Sequence, residues 1–129
     1  MKAIDTNILV RFLVADDEQQ AIAATDCITA GAYVSDGVLM ETEWVLRSVF
    51  HLARSDIAQR LSDVVELRSL AVDDRALLRW AVTRYGAGAD WADLLHLIAA
   101  RGHEGFITFD GKLERRAGPD APVRIERLQ

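Results

Sequence analysis

The sequence predicts an α/β fold, a mostly parallel sheet flanked by helices. Three observations predict it. Short apolar runs alternate with longer stretches whose apolar residues recur every three or four positions. Many of the longer stretches begin beside an acid, and several end at a glycine. The only two prolines, Pro119 and Pro122, lie near the C-terminus, so none interrupts the alternation. Strands that each lead into a helix are the pattern of parallel α/β sheets.

In order, residues 1–4 form a short strand that ends at Asp5. "TNILVRFLVA" places Ile8, Leu9, Phe12 and Leu13 on one helical face. Asp16, Asp17 and Glu18 open an Ala-rich helix that runs to about residue 29 and is ended by Gly31. "AYVS" is the second strand, and "DGVLMETEWVLRSVF" a strongly apolar helix. Ser55 and Asp56 read as the cap of the helix "DIAQRLSDVVEL". "SLAV" is a third strand. Asp73 and Asp74 start the helix "RALLRWAVTRY", stopped by Gly86 and Gly88. Asp90 begins "DWADLLHLIAARG", closed by Gly102. "GFITF" reads as a buried fourth strand, and "VRIERL" as a possible fifth.

A chain of 129 residues is expected to make a single domain, 1–129, and 50% hydrophobic residues supply a sizeable core. No apolar run is long enough to span a membrane. The N-terminal stretch lacks the pattern of a signal peptide, so the expected location is cytoplasmic. Cys27 is the only cysteine, which rules out an internal disulfide. A net charge of −5 argues against a generic nucleic-acid coat but not against a nuclease, whose acidic pocket adds negative charge of its own. His51, His96 and His103 share no zinc spacing and have no cysteine partners. Trp44, Trp80 and Trp91 read as core or dimer contacts.

Sites in open α/β sheets form beyond the carboxyl ends of the strands. Asp5 and Asp110 both stand at such ends and would face one crevice if their strands are neighbours. Glu41 in "VLMETEW" and Asp93 in "WADLLHL" are acids embedded in apolar helices, where an ionised carboxylate is costly unless paired or metal-bound. Each acid also has a purely structural role open to it. Asp5 or Thr6 fits an N-cap, Asp90 with Asp93 a capping box, Asp110 an Asp-Gly turn, and Glu41 the exposed stripe of its helix.

The ordered set "DTN", "LMETEWVLRS", "ADWADLLHLIAARG" and "GFITFDGKL" resembles the PIN-domain ribonucleases, and within them the VapC-type toxins of toxin–antitoxin modules. The likeness covers essentially the whole chain. It implies a three-layer α/β/α fold with a mostly parallel central sheet. It also implies an acidic quartet, Asp5, Glu41, Asp93 and Asp110, that holds Mg²⁺ or Mn²⁺ and hydrolyses RNA phosphodiester bonds. Oxygen-only donors suit those ions better than zinc. By the same resemblance Thr6 and Asn7 belong to the "DTN" element, Asn7 bonding a carboxylate or a metal's water, and Thr108 orients Asp110. Glu41 is preferred over Glu43, and Asp93 over Asp90, which stays an accessory ligand or the helix cap. Arg11, Arg47, Lys112, Arg115 and Arg116 are open both to holding RNA phosphates and to plain solvated surface. The resemblance further implies a VapB-type antitoxin that lies across the active-site groove, and a homodimer.

Three other readings compete. One is a PIN nuclease for RNA processing outside a toxin module. Another is a receiver-type phosphoacceptor domain, which wants an acidic pair where this chain has Asp5-Thr6-Asn7; a haloacid-dehalogenase-type phosphatase wants Asp-x-Asp there and also fits poorly. The last is an inactive PIN-like binding module.

Overall fold

The computed structural model describes all 129 residues, with seven helices and five short strands, every paired strand parallel. The chain divides into two compact units, residues 1–75 and 76–129.

The first unit is built on three strands, β1 (Lys2–Ala3), β2 (Ala32–Tyr33) and β3 (Leu70–Ala71), in the order β1-β2-β3. The register pairs Ala3 with Tyr33 and Tyr33 with Ala71. The ladder continues one residue further: the Ile4 amide donates to Tyr33 O and the Val34 amide to Ala71 O, each at 3.0 Å. Its helices are α1 (Thr6–Val14), α2 (Glu18–Thr29), α3 (Asp36–Ser48) and α4 (Arg54–Glu66). Three of them start where a side-chain oxygen takes an otherwise orphaned amide: Asp5 takes Ile8 N, Asp17 takes Gln20 N and Ser35 takes Val38 N. The core is aliphatic, with Leu9, Val34, Leu39, Leu46, Ile57, Leu61 and Leu70 fully buried. Arg75 closes the unit by donating to the carbonyls of Val65 and Leu70.

The second unit holds nearly all of α5 (Arg75–Gly86), then α6 (Trp91–Ala99), β4 (Phe106–Thr108), α7 (Leu113–Ala117) and β5 (Ile125–Arg127). β4 pairs with β5, Phe106 opposite Ile125. Trp91, Leu94, Leu95, Leu97 and Ile98 are all buried, so α6 turns one broad apolar face inward, while His96 and Ala99 on the other side are exposed. Leu97 packs with Leu113, Ala117 and Val123, and Phe106 and Ile125 lie against that cluster. Tyr85 meets Trp91 edge to face at 5.7 Å. Leu97→Ala is expected to cost about 2–5 kcal/mol in urea unfolding, because the cavity opens beneath three elements. A cost below about 1 kcal/mol would show that α6 is not anchored there.

Four local expectations need correction. Ser35 is not the end of a strand but the N-cap of α3. Ser55 and Asp56 do not cap α4; its N-cap is Ala53, without a side-chain bond, and both residues sit inside the first turn. Trp44 is exposed rather than core. β4 is not a buried strand, since Ile107 is 60% and Phe109 74% exposed. A strand alternates its faces, so Ile107 and Phe109 share the open side while Phe106 turns inward.

Candidate active site

The first unit carries two of the four sequence-predicted acids. Asp5 follows β1, with extended backbone (φ −92°, ψ 176°) and Oδ1 accepting from Ile8 N at 3.2 Å. Capping and site roles are therefore compatible: one oxygen starts α1, and Oδ2 has no protein partner. Thr6 is buried, and its hydroxyl donates to Oε1 of Glu41, 35 positions away on α3. That bond ties the first residue of α1 to the middle of α3 and holds the side chain of an otherwise exposed carboxylate. Glu43 behaves differently. It is 5% exposed, and Arg47 donates to it at 2.9 Å from Nε. Arg11 is likewise paired, with Asp16 at 2.6 Å. Asn7 is exposed and borders a cleft of about 340 Å³ with Ile8, Arg11 and Gln20.

The second unit carries the other two acids and Asp90. Asp90 caps α6 by accepting the Asp93 amide at 3.0 Å. The cap half of the expected capping box is present, but its return bond is not, because the Asp93 carboxylate accepts no hydrogen bond. Burial first, then the charges of Asp90 and Asp110, push the Asp93 carboxyl above its ordinary value, while His96 and Arg116 pull it back. Asp110 follows β4 as Asp5 follows β1. Its Oδ1 accepts from Lys112 N at 2.8 Å, and its own amide donates to Thr108 Oγ1 at 3.0 Å. Thr108 thus holds the backbone of the turn rather than the carboxylate. Oδ2 of Asp110 is left without a protein partner. Lys112, Arg115 and Arg116 are exposed on the segment that follows.

Within neither unit do three or more His, Cys, Asp or Glu side chains already form a group able to hold a metal ion. The donor chemistry nevertheless fits a hard divalent cation. The unpartnered groups are all carboxylate oxygens, and the charge on Asp93, disfavoured first by burial and then by Asp90 and Asp110, is one that a cation would relieve.

Sequence reasoning missed α7 and the openness of β4. It also missed Arg84 in the last turn of α5, whose Nε donates to Arg116 O at 2.7 Å. Only an arginine near a helix end marked it, a signal too common to single out.

The PIN domain family matches residues 2–119, and the chain belongs to that family. PIN domains are generally nucleases, which makes a hydrolase the class of activity to expect. No curated protein and no solved structure gave a significant match. No helix is long and apolar enough to cross a membrane.

Proposed function

We propose that this chain is a Mg²⁺- or Mn²⁺-dependent endoribonuclease, the toxin of a VapBC-type module. In this reading residues 1–129 act as one PIN domain, and the family match running across the division at residue 75 supports that. Asp5, Glu41, Asp93 and Asp110 are the proposed ligands. The observation that carries the reading is the state of their oxygens. Each acid is placed by a backbone or side-chain bond nearby, yet keeps at least one carboxylate oxygen free of protein partners.

The four carboxylates would hold a divalent ion, which would supply charge neutralisation at the scissile phosphate and a more acidic water. The chain's own part is positioning. Thr6 holds Glu41, the cap on Ile8 N holds Asp5, and the cap on the Asp93 amide sets the first turn of α6. The Thr108 and Lys112 bonds set the Asp110 turn. Asn7, beside Asp5, is the proposed donor to a carboxylate or to water at the ion. Asp90 is the proposed helix cap and accessory acid. The reading also takes in RNA as substrate, a VapB-type antitoxin, a homodimer and action in the cytoplasm. Order and spacing of "DTN", "METEW", "DWADLL" and "TFD" support it.

The test is cleavage of single-stranded RNAs, tRNAs and total RNA by the purified chain, with Mg²⁺ or Mn²⁺, an EDTA control and Asp5→Asn. Cleavage that needs the ion and falls about a hundredfold or more in the variant is expected, as for removal of one preorganised electrostatic group. Cleavage that survives EDTA and the variant alike, or none on any RNA, refutes the enzyme. Growth arrest on expression, relieved by a co-expressed VapB-type antitoxin, tests the toxin role.

A further inference from the structure

The second unit contains a cleft of about 350 Å³ whose lining is Arg84, Ala87, Gly88, Arg115 and Arg116, three cations and no acid. In a chain of net charge −5, that local sign reversal has a structural origin. The last carbonyls of the short helix α7 lack helical partners. Arg84 reaches them from α5, Nε to Arg116 O at 2.7 Å and Nη2 to Arg115 O at 3.3 Å. Gly118 lets it lie there. Its φ is +80°, and a Cβ at that position would stand 3.0 Å from Arg84 Cζ. The guanidinium is pinned by carbonyls rather than by a carboxylate, so its full charge stays in the cleft, with Nη1 unbonded. Arg115 and Arg116 are exposed and make no ion pair. Opposite them Gly88 presents no side chain, and a Cβ there would meet nothing within 4 Å. Three guanidinium groups around an open cleft repel one another until an anion separates them, and their planar forks match phosphate oxygens. Arg115 and Arg116 lie on α7, which begins at Leu113, three positions after Asp110, so the chain that turns at that acid leads directly into the cleft.

We infer that Arg84, Arg115 and Arg116 form a subsite for a backbone phosphate of the RNA strand. The inference rests on the ribonuclease reading and gives it a strand-positioning element, with Arg84 the fixed member and Arg115 and Arg116 the ones that close on the ligand.

The experiment is fluorescence anisotropy of a labelled single-stranded RNA with the full chain in EDTA, across a salt series. Arg115→Ala/Arg116→Ala is compared with a charge-matched control, Arg101→Ala/Arg124→Ala. Arg101 lies past the far end of α6 from Asp93, roughly 12 Å along the axis. Arg124 precedes β5, at the end of the strand pair away from Asp110. The expected result is binding weakened by about tenfold or more in the first pair, with the log–log salt slope reduced by about 0.7 for each phosphate no longer neutralised. The control stays within about twofold, and circular dichroism shows both variants folded. Equal losses in the two pairs, no loss in the first, or no RNA binding by the native chain overturns the subsite. Cleavage with added ion is scored separately. Binding that depends on the first pair without any cleavage leaves the subsite standing and removes the nuclease. Cleavage with binding indifferent to the pair does the reverse.

Discussion

Asp93→Asn is expected to lower metal-dependent RNA cleavage by about 10²–10³-fold and, at the same time, to make the chain more stable near neutral pH. The two effects have one cause. Burial, reinforced by Asp90 and Asp110, raises the Asp93 pKa from its ordinary 3.8, so the folded chain holds this proton more tightly than the unfolded chain does. Below 3.8 both states are protonated and the group costs nothing. As pH rises from there through the folded value, the unfolded chain gives up its proton first and stability is lost. Above the folded value the loss is complete. An amide has no such charge, so thermal unfolding of the variant should be flatter across that window and its midpoint higher at about pH 7. Added Mg²⁺ or Mn²⁺ should raise the native midpoint by mass action and leave the variant's nearly unmoved. A variant that still cuts RNA, or one whose neutral-pH midpoint falls, would remove Asp93 from the site.

Parts of the candidate site were legible in the sequence and others were not, according to how far apart in the chain the interacting groups lie. Acids at strand tips and helix starts are local features. Asp5 and Asp110 could be placed beyond β1 and β4 because an apolar run ending in Asp and a turn residue marks a strand end. Asp90 could be read as a cap because its acceptor and the Asp93 amide are three positions apart. The Thr6–Glu41 bond could not be read, because 35 residues separate its partners and periodicity carries no distance between elements. Helix α7 was invisible for a related reason. Five residues make little more than one turn, too short to show a period, and its buried Leu113 and Ala117 gain meaning only against Leu97 and Val123. β4 misled in the other direction. Phe106, Ile107 and Phe109, broken only by Thr108, look buried on both faces, yet Ile107 and Phe109 face outward.

The choice between Glu41 and Glu43 is the sharpest remaining test, because periodicity alone could not make it. Two positions along a helix turn a side chain by about 200°, so the two acids point in opposed directions and only one can serve the site. Glu41 is exposed and held by Thr6, and Glu43 is buried and held by Arg47. Glu41→Gln should therefore lose cleavage by about a hundredfold or more while barely moving the unfolding midpoint, since an amide oxygen still accepts from Thr6. Glu43→Gln should do the opposite. Breaking a buried ion pair costs about 3–5 kcal/mol, but the Arg47 side chain is 51% exposed and keeps water as a partner, which brings the expected cost down to about 1–2 kcal/mol. The folded fraction of that variant should cut RNA at close to the native rate. Cleavage lost in Glu43→Gln and kept in Glu41→Gln would transfer the proposed ligand role to Glu43 and leave the Thr6–Glu41 bond as a brace between α1 and α3. Cleavage lost in both, with both chains folded, would mean that α3 supports the site as a whole rather than through one carboxylate.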